Sequence, residues 1–298
     1  MQKIKNKVFE KWLEKKLSKL EVLFLIVIAR YQDNTGLVRG VYYKDICKEL
    51  GLLTGKRRAY SSYYLILDAL EQKGLIEVER GFKDRNIRIC ENDFTDGNYH
   101  EGYISVRHGL FYSQDFGRLK ANEMLLCMEF LKNCESSQND GRKMDMHIGV
   151  KTLFDKYTKK LQVTERVIRG YLTNLKTFFS IYIRDRMYWI EMLKHTGKKL
   201  PENKEDYQYR KNVAKSILRK NRMKETPEQL EMIMQLMKQH GKRLRDDVAD
   251  AVAISVQKSL QYVNDKVINP YKWDRTLRPK LLQKIIKGNG EVPLPSFL

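Results

Sequence analysis

Two stretches of this chain follow the same plan, an amphipathic helix that runs straight into two short alternating strands. In the first, Tyr63, Leu67 and Leu70 recur at i, i+4 and i+7, which predicts a helix from about Ser62 to Lys73 stopped by Gly74. "LIEVER" and "NIRICEND" then alternate in strand fashion around the turn "GFKDRN". In the second, Ile168, Leu172, Leu175 and Phe179 form the stripe of a helix capped by Thr164. "SIYIRDRMYWIEM" follows as two strands around Arg184, Asp185 and Arg186. Each helix turns its apolar stripe to a core and keeps hydroxyl and basic groups on the opposite side.

The elements around these stretches also recur. Residues 3–32 read as amphipathic helices, with Ile4, Val8 and Trp12 on one face and a capping box from Ser18 to Glu21. "KLEVLFLIVIARY" is apolar almost all round and belongs in a core. "VYYKDICKELGL" gives a short strand and a helix stopped by Gly51. After the first hairpin the order returns: a strand in "YISVRHGLF", a helix over 120–134, a polar loop "ESSQNDGRKMDM", a short helix "GVKTLFDKY", then the second helix and hairpin. This pattern reads as a diverged structural duplication. The expected domains are 1–95 and 96–194, joined by a linker at 195–207 to a helical C-terminal region, 208–298. In that region Thr226, Pro227 and Gln229 mark a helix start, with Gly241 as its stop. "DDVADAVAISVQKSLQYV" is a second helix, and Asn269–Pro270 opens a third that is interrupted at Pro279.

Composition narrows the function. A content of 42% hydrophobic and 32% charged residues is that of a soluble globular protein. The apolar run at 22–29 is too short to span a bilayer, and no signal-peptide pattern precedes it, so cytoplasmic residence is expected. The net charge is +20, spread as 19 basic against 13 acidic residues in 1–95, 16 against 12 in 96–195 and 22 against 12 in 196–298. Such an excess favours a polyanionic partner, nucleic acid before an anionic membrane. The four cysteines form no CxxC pair and read as buried free thiols, and the five dispersed histidines offer no ligand spacing, so no metal or cofactor is expected. No P-loop, GxGxxG, GxSxG or HExxH pattern occurs, and "TGKRR" at 54–58 lacks the upstream glycine of a phosphate loop. The sequence reads as a non-enzyme.

A helix-turn-helix followed by a hairpin is the winged-helix arrangement, so the expected fold class is mainly α with small β hairpins, two winged-helix domains and a helical tail. The second helix of such a unit fits the DNA major groove and its hairpin lies on the neighbouring backbone. The expected DNA contacts are therefore Lys56, Arg57, Arg58, Tyr60, Ser61 and Ser62 before and at the start of the first reading helix, with Lys83, Arg85 and Arg88 on its wing. In the second unit they are Thr164, Arg166, Arg169, Thr173 and Lys176, with wing residues Arg184 and Arg186. On this element order, residues 1 to about 193 resemble tandem winged-helix proteins of bacteria and plasmids, notably plasmid replication initiators. "NDKVINPYKWDRTLRPKLL" loosely resembles a segment of replication proteins from Gram-positive bacteria. The resemblance implies binding to origin repeats in double-stranded DNA, and a helicase or helicase-loader contact through the C-terminal region. A transcription regulator on a promoter operator and a partition adaptor remain open. The Ile4–Val8–Trp12 stripe either packs on its own domain or serves a homodimer with Trp12 as its anchor.

Overall fold

The computed structural model describes residues 2–56, 60–80, 85–95, 97, 102–106, 108–138, 145–196, 202–266 and 277–288. In chain order the elements are β1 (Lys3–Lys5), α1 (Asn6–Glu14), α2 (Lys19–Ala29), β2 (Leu37–Val41), α3 (Tyr43–Thr54), α4 (Tyr60–Gln72), β3 (Ile76–Arg80) and β4 (Arg85–Ile89). Then come β5 (Tyr103–Ser105), α5 (His108–Phe111), α6 (Gln114–Arg118), α7 (Ala121–Gln138), β6 (Asp145–Gly149), α8 (Val150–Leu161), α9 (Glu165–Leu175), β7 (Phe179–Arg184) and β8 (Met187–Met192). The chain continues with α10 (Glu202–Lys220), α11 (Pro227–Leu244), α12 (Val248–Lys266) and α13 (Pro279–Lys287). The protein is mainly helical with small sheets. Among the described residues no helix is long and apolar enough to cross a membrane.

Two compact units emerge. The first holds Met1–Val38, Tyr43–Glu79 and Ile87–Glu205; the second holds Arg39–Tyr42, Arg80–Asn86 and Asp206–Leu298. The series α2-β2-α3-α4-β3-β4 recurs as α7-β6-α8-α9-β7-β8. Both three-stranded sheets place the last strand in the middle, in the orders β2-β4-β3 and β6-β8-β7. In the second sheet the register is antiparallel throughout, with His147 opposite Trp189 and Tyr182 opposite Trp189 from the other side.

Helix α2 is buried at every position from Glu21 to Ala29, as its all-round apolar sequence requires. Ser18 and Glu21 form the expected capping box at its start. Helix α7 is likewise enclosed, with Met124, Leu125, Leu126, Cys127, Met128, Phe130 and Leu131 all buried. Two acids are buried with them, Glu123 and Glu129; Glu129 is 1% exposed, and Lys132 (2.9 Å), Lys156 (3.2 Å) and Lys160 (3.3 Å) surround it. Lys132 and Lys160 also hold Glu10 of α1, so one ion cluster joins α1, α7 and α8. Burial alone would raise both carboxyls, yet the hydrogen bonds and charges of these lysines hold Glu10 and Glu129 below the usual range.

Several expectations need correction. The chain opens as strand β1 paired with β5, Ile4 opposite Ile104, and helix α1 begins only at Asn6. The Ile4–Val8–Trp12 stripe is fully used inside the chain: Trp12 is buried and meets Phe9 edge-on. Of the two readings of the stripe, packing on its own domain is the one observed. Gly51 and Gly241 do not stop their helices, which reach Thr54 and Leu244. A mid-helix glycine costs only about 1 kcal/mol, less than burying Leu53 returns. The loop expected at 135–146 is helical to Gln138 and turns into β6 at Asp145, because β8 offers an edge to pair with. The expected linker 195–207 already carries α10 from Glu202. Pro279 starts α13 at its first turn, where the missing N–H has no partner to lose, and the helix expected at 271–277 lies almost wholly outside the described residues.

In the second unit α10, α11, α12 and α13 close on a core that includes Val213, Ile217, Leu218, Ile233, Met237, Val252, Val256 and Leu282. Residues 39–42 are tied into it. The Gly40 carbonyl accepts from Arg219 Nη2 (2.9 Å), the Gly40 N–H donates to Asn86 Oδ1 (3.0 Å), and the Arg39 carbonyl accepts from Asn212 Nδ2 (2.6 Å). Gly40 has φ +63°, and a Cβ there would stand 2.0 Å from Ser216 Cβ. Gly40→Ala should therefore destabilise the second unit by about 2 kcal/mol or more, read as a lowered urea midpoint.

The ion cluster sets an acid limit. A carboxyl whose folded pKa is depressed adds stability above its unfolded pKa and loses it as pH falls through the folded value. Glu129→Gln should lower the melting temperature at neutral pH, by an amount equivalent to about 3 kcal/mol. It should also flatten the fall in stability on the acid side of the carboxylate range. Thermal melts from pH 7 down to 3 measure both.

Candidate nucleic-acid interface

The two recurring helices α4 and α9 can be laid on one another by their buried stripes. Tyr63, Leu67 and Leu70 correspond to Ile168, Leu172 and Leu175, each pair 105 residues apart. Position by position, the outer faces then differ sharply. On α9 the outer face carries Arg166, Arg169, Gly170, Thr173 and, just past its end, Lys176, all exposed. On α4 the same positions are Ser61, Tyr64, Leu65, Asp68 and Glu71. The first of these faces holds three cations and no acid; the second holds two acids and no cation, with Leu65 69% exposed.

Thr164 occupies the N-cap of α9 and is exposed, but its side chain makes no capping bond. Its hydroxyl stays available at the helix end, where unpaired N–H groups favour an anion. Arg169 lies 4.4 Å above the Phe154 ring and 3.6 Å from Glu165, which holds the guanidinium along the helix. Thr173 Oγ1 donates to the Arg169 carbonyl at 3.1 Å. Among the described residues neither Arg166 nor Lys176 has an ion-pair partner. Val167 adds an apolar contact, 38% exposed, beside Arg166.

The hairpin after α9 turns through Asp185 and Arg186, both left-handed with φ 52° and 57°. This is the geometry of a type I′ turn, whose twist matches that of the flanking strands. It leaves Arg184 and Arg186 exposed at the tip. One face of this sheet carries a row of rings across all three strands. Tyr182 stacks on Trp189 (6.2 Å, 13°), and His147 meets Trp189 from the other side (3.6 Å). Arg184 stands 6.0 Å from the Trp189 ring. A hydrogen bond from the Tyr182 hydroxyl to Glu191 Oε1 (2.9 Å) pushes the phenol's pKa up. The strand alternation placed these rings on one face, but the sequence reading did not single them out.

The expected contacts of the first recurring unit are less uniform. Lys56 is exposed after α3, and Ser61 and Ser62 stand in the first turn of α4, exposed and half-buried. Tyr60 begins that helix, but its side chain lies outside the described residues, as do Arg57, Arg58 and Lys83. Arg85 is half-buried at the start of β4. Arg88 is exposed and occupied locally, donating to the Thr35 carbonyl at 3.1 Å and lying 4.0 Å from Glu77. Of the expected residues with described side chains, Arg166, Arg169, Thr173 and Lys176 share the outer face of α9 and its end, Arg184 and Arg186 stand at the hairpin tip, and Lys56, Ser61, Ser62, Arg85 and Arg88 lie after α3, on α4 and on β4.

Among the described residues no group of three His, Cys, Asp or Glu side chains is placed to hold a metal ion. The four cysteines are free, and burial pushes the thiols of Cys47, Cys90 and Cys127 up. A cavity of about 290 Å³ in the second unit is lined by Arg39, Ser216, Lys220, Asn221, Asp250 and Gln257. Arg39 and Asp250 pair there at 2.6 Å.

No family model, curated protein or solved structure matches this chain.

If the α9 face has no structural duty, removing its cations should leave the fold untouched. Arg166→Ala combined with Lys176→Ala should change the unfolding free energy by less than about 0.5 kcal/mol in urea titrations.

Proposed function

We propose that this chain is a sequence-specific double-stranded DNA-binding protein built on two winged-helix domains, with α9 as its reading helix and the β7–β8 hairpin as the wing beside it. The observation that carries the reading is the outer face of α9: Arg166, Arg169, Thr173 and Lys176 exposed together opposite a fully buried stripe. Hydroxyl and basic groups on one side of a helix suit the major groove, where bases are read while neighbouring cations meet phosphates. The helix–strand–helix–helix–strand–strand order, with the last strand central in each sheet, supports the winged-helix assignment. The net charge of +20 supports a polyanionic partner.

The first domain takes a different part. Its α4 face is acidic and apolar, so DNA contact there is confined to the start of the helix and the basic loop before it. We assign the protein to replication initiation at a plasmid or mobile-element origin, on the tandem arrangement and the helical C-terminal region. That region would engage a helicase or helicase loader.

Mobility shifts with duplex DNA across a salt series test the binding. Release of counterions from six to ten phosphates predicts a loss of ~10³-fold or more in affinity between 50 and 200 mM salt. A flat response, or no shift with any duplex, would overturn the proposal. The biological assignment is tested by supplying the protein in trans to a plasmid that carries only the origin. Maintenance supports initiation; DNA binding without maintenance points to transcriptional regulation or partition instead.

A further inference from the structure

Gly170 is the sixth of the eleven residues of α9, at the centre of its outer face. Glycine is the least favourable ordinary residue at such a position, because it loses the most backbone freedom on folding. Among the described residues nothing requires it. No described atom outside its own helical surroundings lies within 4 Å of where a Cβ would stand, and its φ is not in the left-handed region. Gly241, the other helical glycine with open space above it, lies in the last turn of α11, where little helix follows it to be weakened. The corresponding helix gives an internal control. Position 65 of α4 occupies the same place relative to the buried stripe and holds a leucine, 69% exposed. The fold therefore accepts a bulky side chain at this point.

A residue that weakens its helix and serves no contact within the chain is explained by something outside it that must come close. The neighbours of Gly170 state what that is. Arg166 and Lys176 stand one turn and nearly two turns away along the same face, with Arg169 and Thr173 beside them. Arg166 and Lys176 stand toward the ends of the face, Arg169 borders Gly170, and Gly170 itself is bare. We infer that Gly170 is the point of closest approach between α9 and double-stranded DNA, and that the missing side chain lets the helix seat against base edges on the floor of the major groove. The flanking cations then reach phosphates on either side. Gly170 is thus a specificity-determining position: it sets how deep the helix enters, while the cations supply affinity that does not depend on sequence.

This inference rests on the DNA-binding proposal, and its test separates the two. A duplex is first enriched from a random-sequence pool with the wild-type protein. Gly170→Ala and Gly170→Val are then compared with wild type on that duplex, on unrelated duplex DNA and in thermal melts. Gly170→Ala should raise the melting temperature by about 2–4 °C. It should weaken binding to the enriched duplex by about 10-fold or more, with Gly170→Val weaker still, and leave binding to unrelated duplex within about 2-fold. Wild-type protein that enriches no duplex overturns the underlying DNA reading. A wild type that binds an enriched duplex, with Gly170→Ala binding it equally well, overturns the role of Gly170 alone. So does a lowered melting temperature in Gly170→Ala, which would give the glycine a structural duty.

Discussion

Helices α2 and α7 have no face that can be left in water, and the rest of the first unit is arranged to satisfy them. Each is buried on nearly every side over two turns or more. An amphipathic helix is covered from one side, but a helix apolar all round must be enclosed, and that takes several partners. In each recurring unit the partners are two further helices and a three-stranded sheet. Covering the central helix uses one stripe of α4 and of α9, such as Ile168, Leu172 and Leu175, and leaves the opposite stripe outward. The exposed faces are what remains once that burial is complete.

Burial on this scale leaves little room for charge, which makes the Glu129 cluster informative. A carboxylate inside α7 is tolerated because three lysines reach it and two of them also reach Glu10. A buried ion pair is weak evidence for net stability, since desolvation offsets much of the attraction. Its geometry is specific, however. The cluster positions α1 and α8 against α7 at points where apolar contacts would tolerate sliding. Arg30 does similar work at the end of α2: it is buried, donates to the Phe111 carbonyl, pairs with Glu49 at 3.3 Å and lies 3.6 Å from the Tyr112 ring.

The two recurring units share architecture and differ in what they show to solvent. Conserving a buried stripe while exchanging the outer face costs little stability, because exposed positions contribute little to it. One architecture can therefore carry a basic face with a central glycine on α9 and an acidic, leucine-bearing face on α4. On the DNA-binding proposal this becomes a division of labour, in which the α9 face would meet the polyanion and the α4 face would be left for a different surface. Exposed leucines at positions 52 and 65 are consistent with that division.

Much of this was legible in the residues alone. The i, i+4, i+7 stripes fixed which face of α4 and α9 lies inward, the capping box at Ser18 and Glu21 marked the start of α2, and period-two alternation gave the β7–β8 hairpin. These signals are local, so the chain carries them without reference to its neighbours. The misreadings share a cause. Ile4 reads as helical until β5 offers a strand to pair with; β6 hides in a polar loop until β8 presents an edge; Gly51 and Gly241 look like stops until burial of their neighbours outweighs them. Only the tertiary structure decided that Trp12 is spent inside the chain, that Glu129 is buried among lysines, and that residues 39–42 belong with the C-terminal helices. It alone showed that no described atom stands above Gly170. Local pattern determines the type of an element and its inward face, because propensity and periodicity act over a few residues. Which surfaces stay bare depends on what folds over them, and that is settled between residues far apart in the chain.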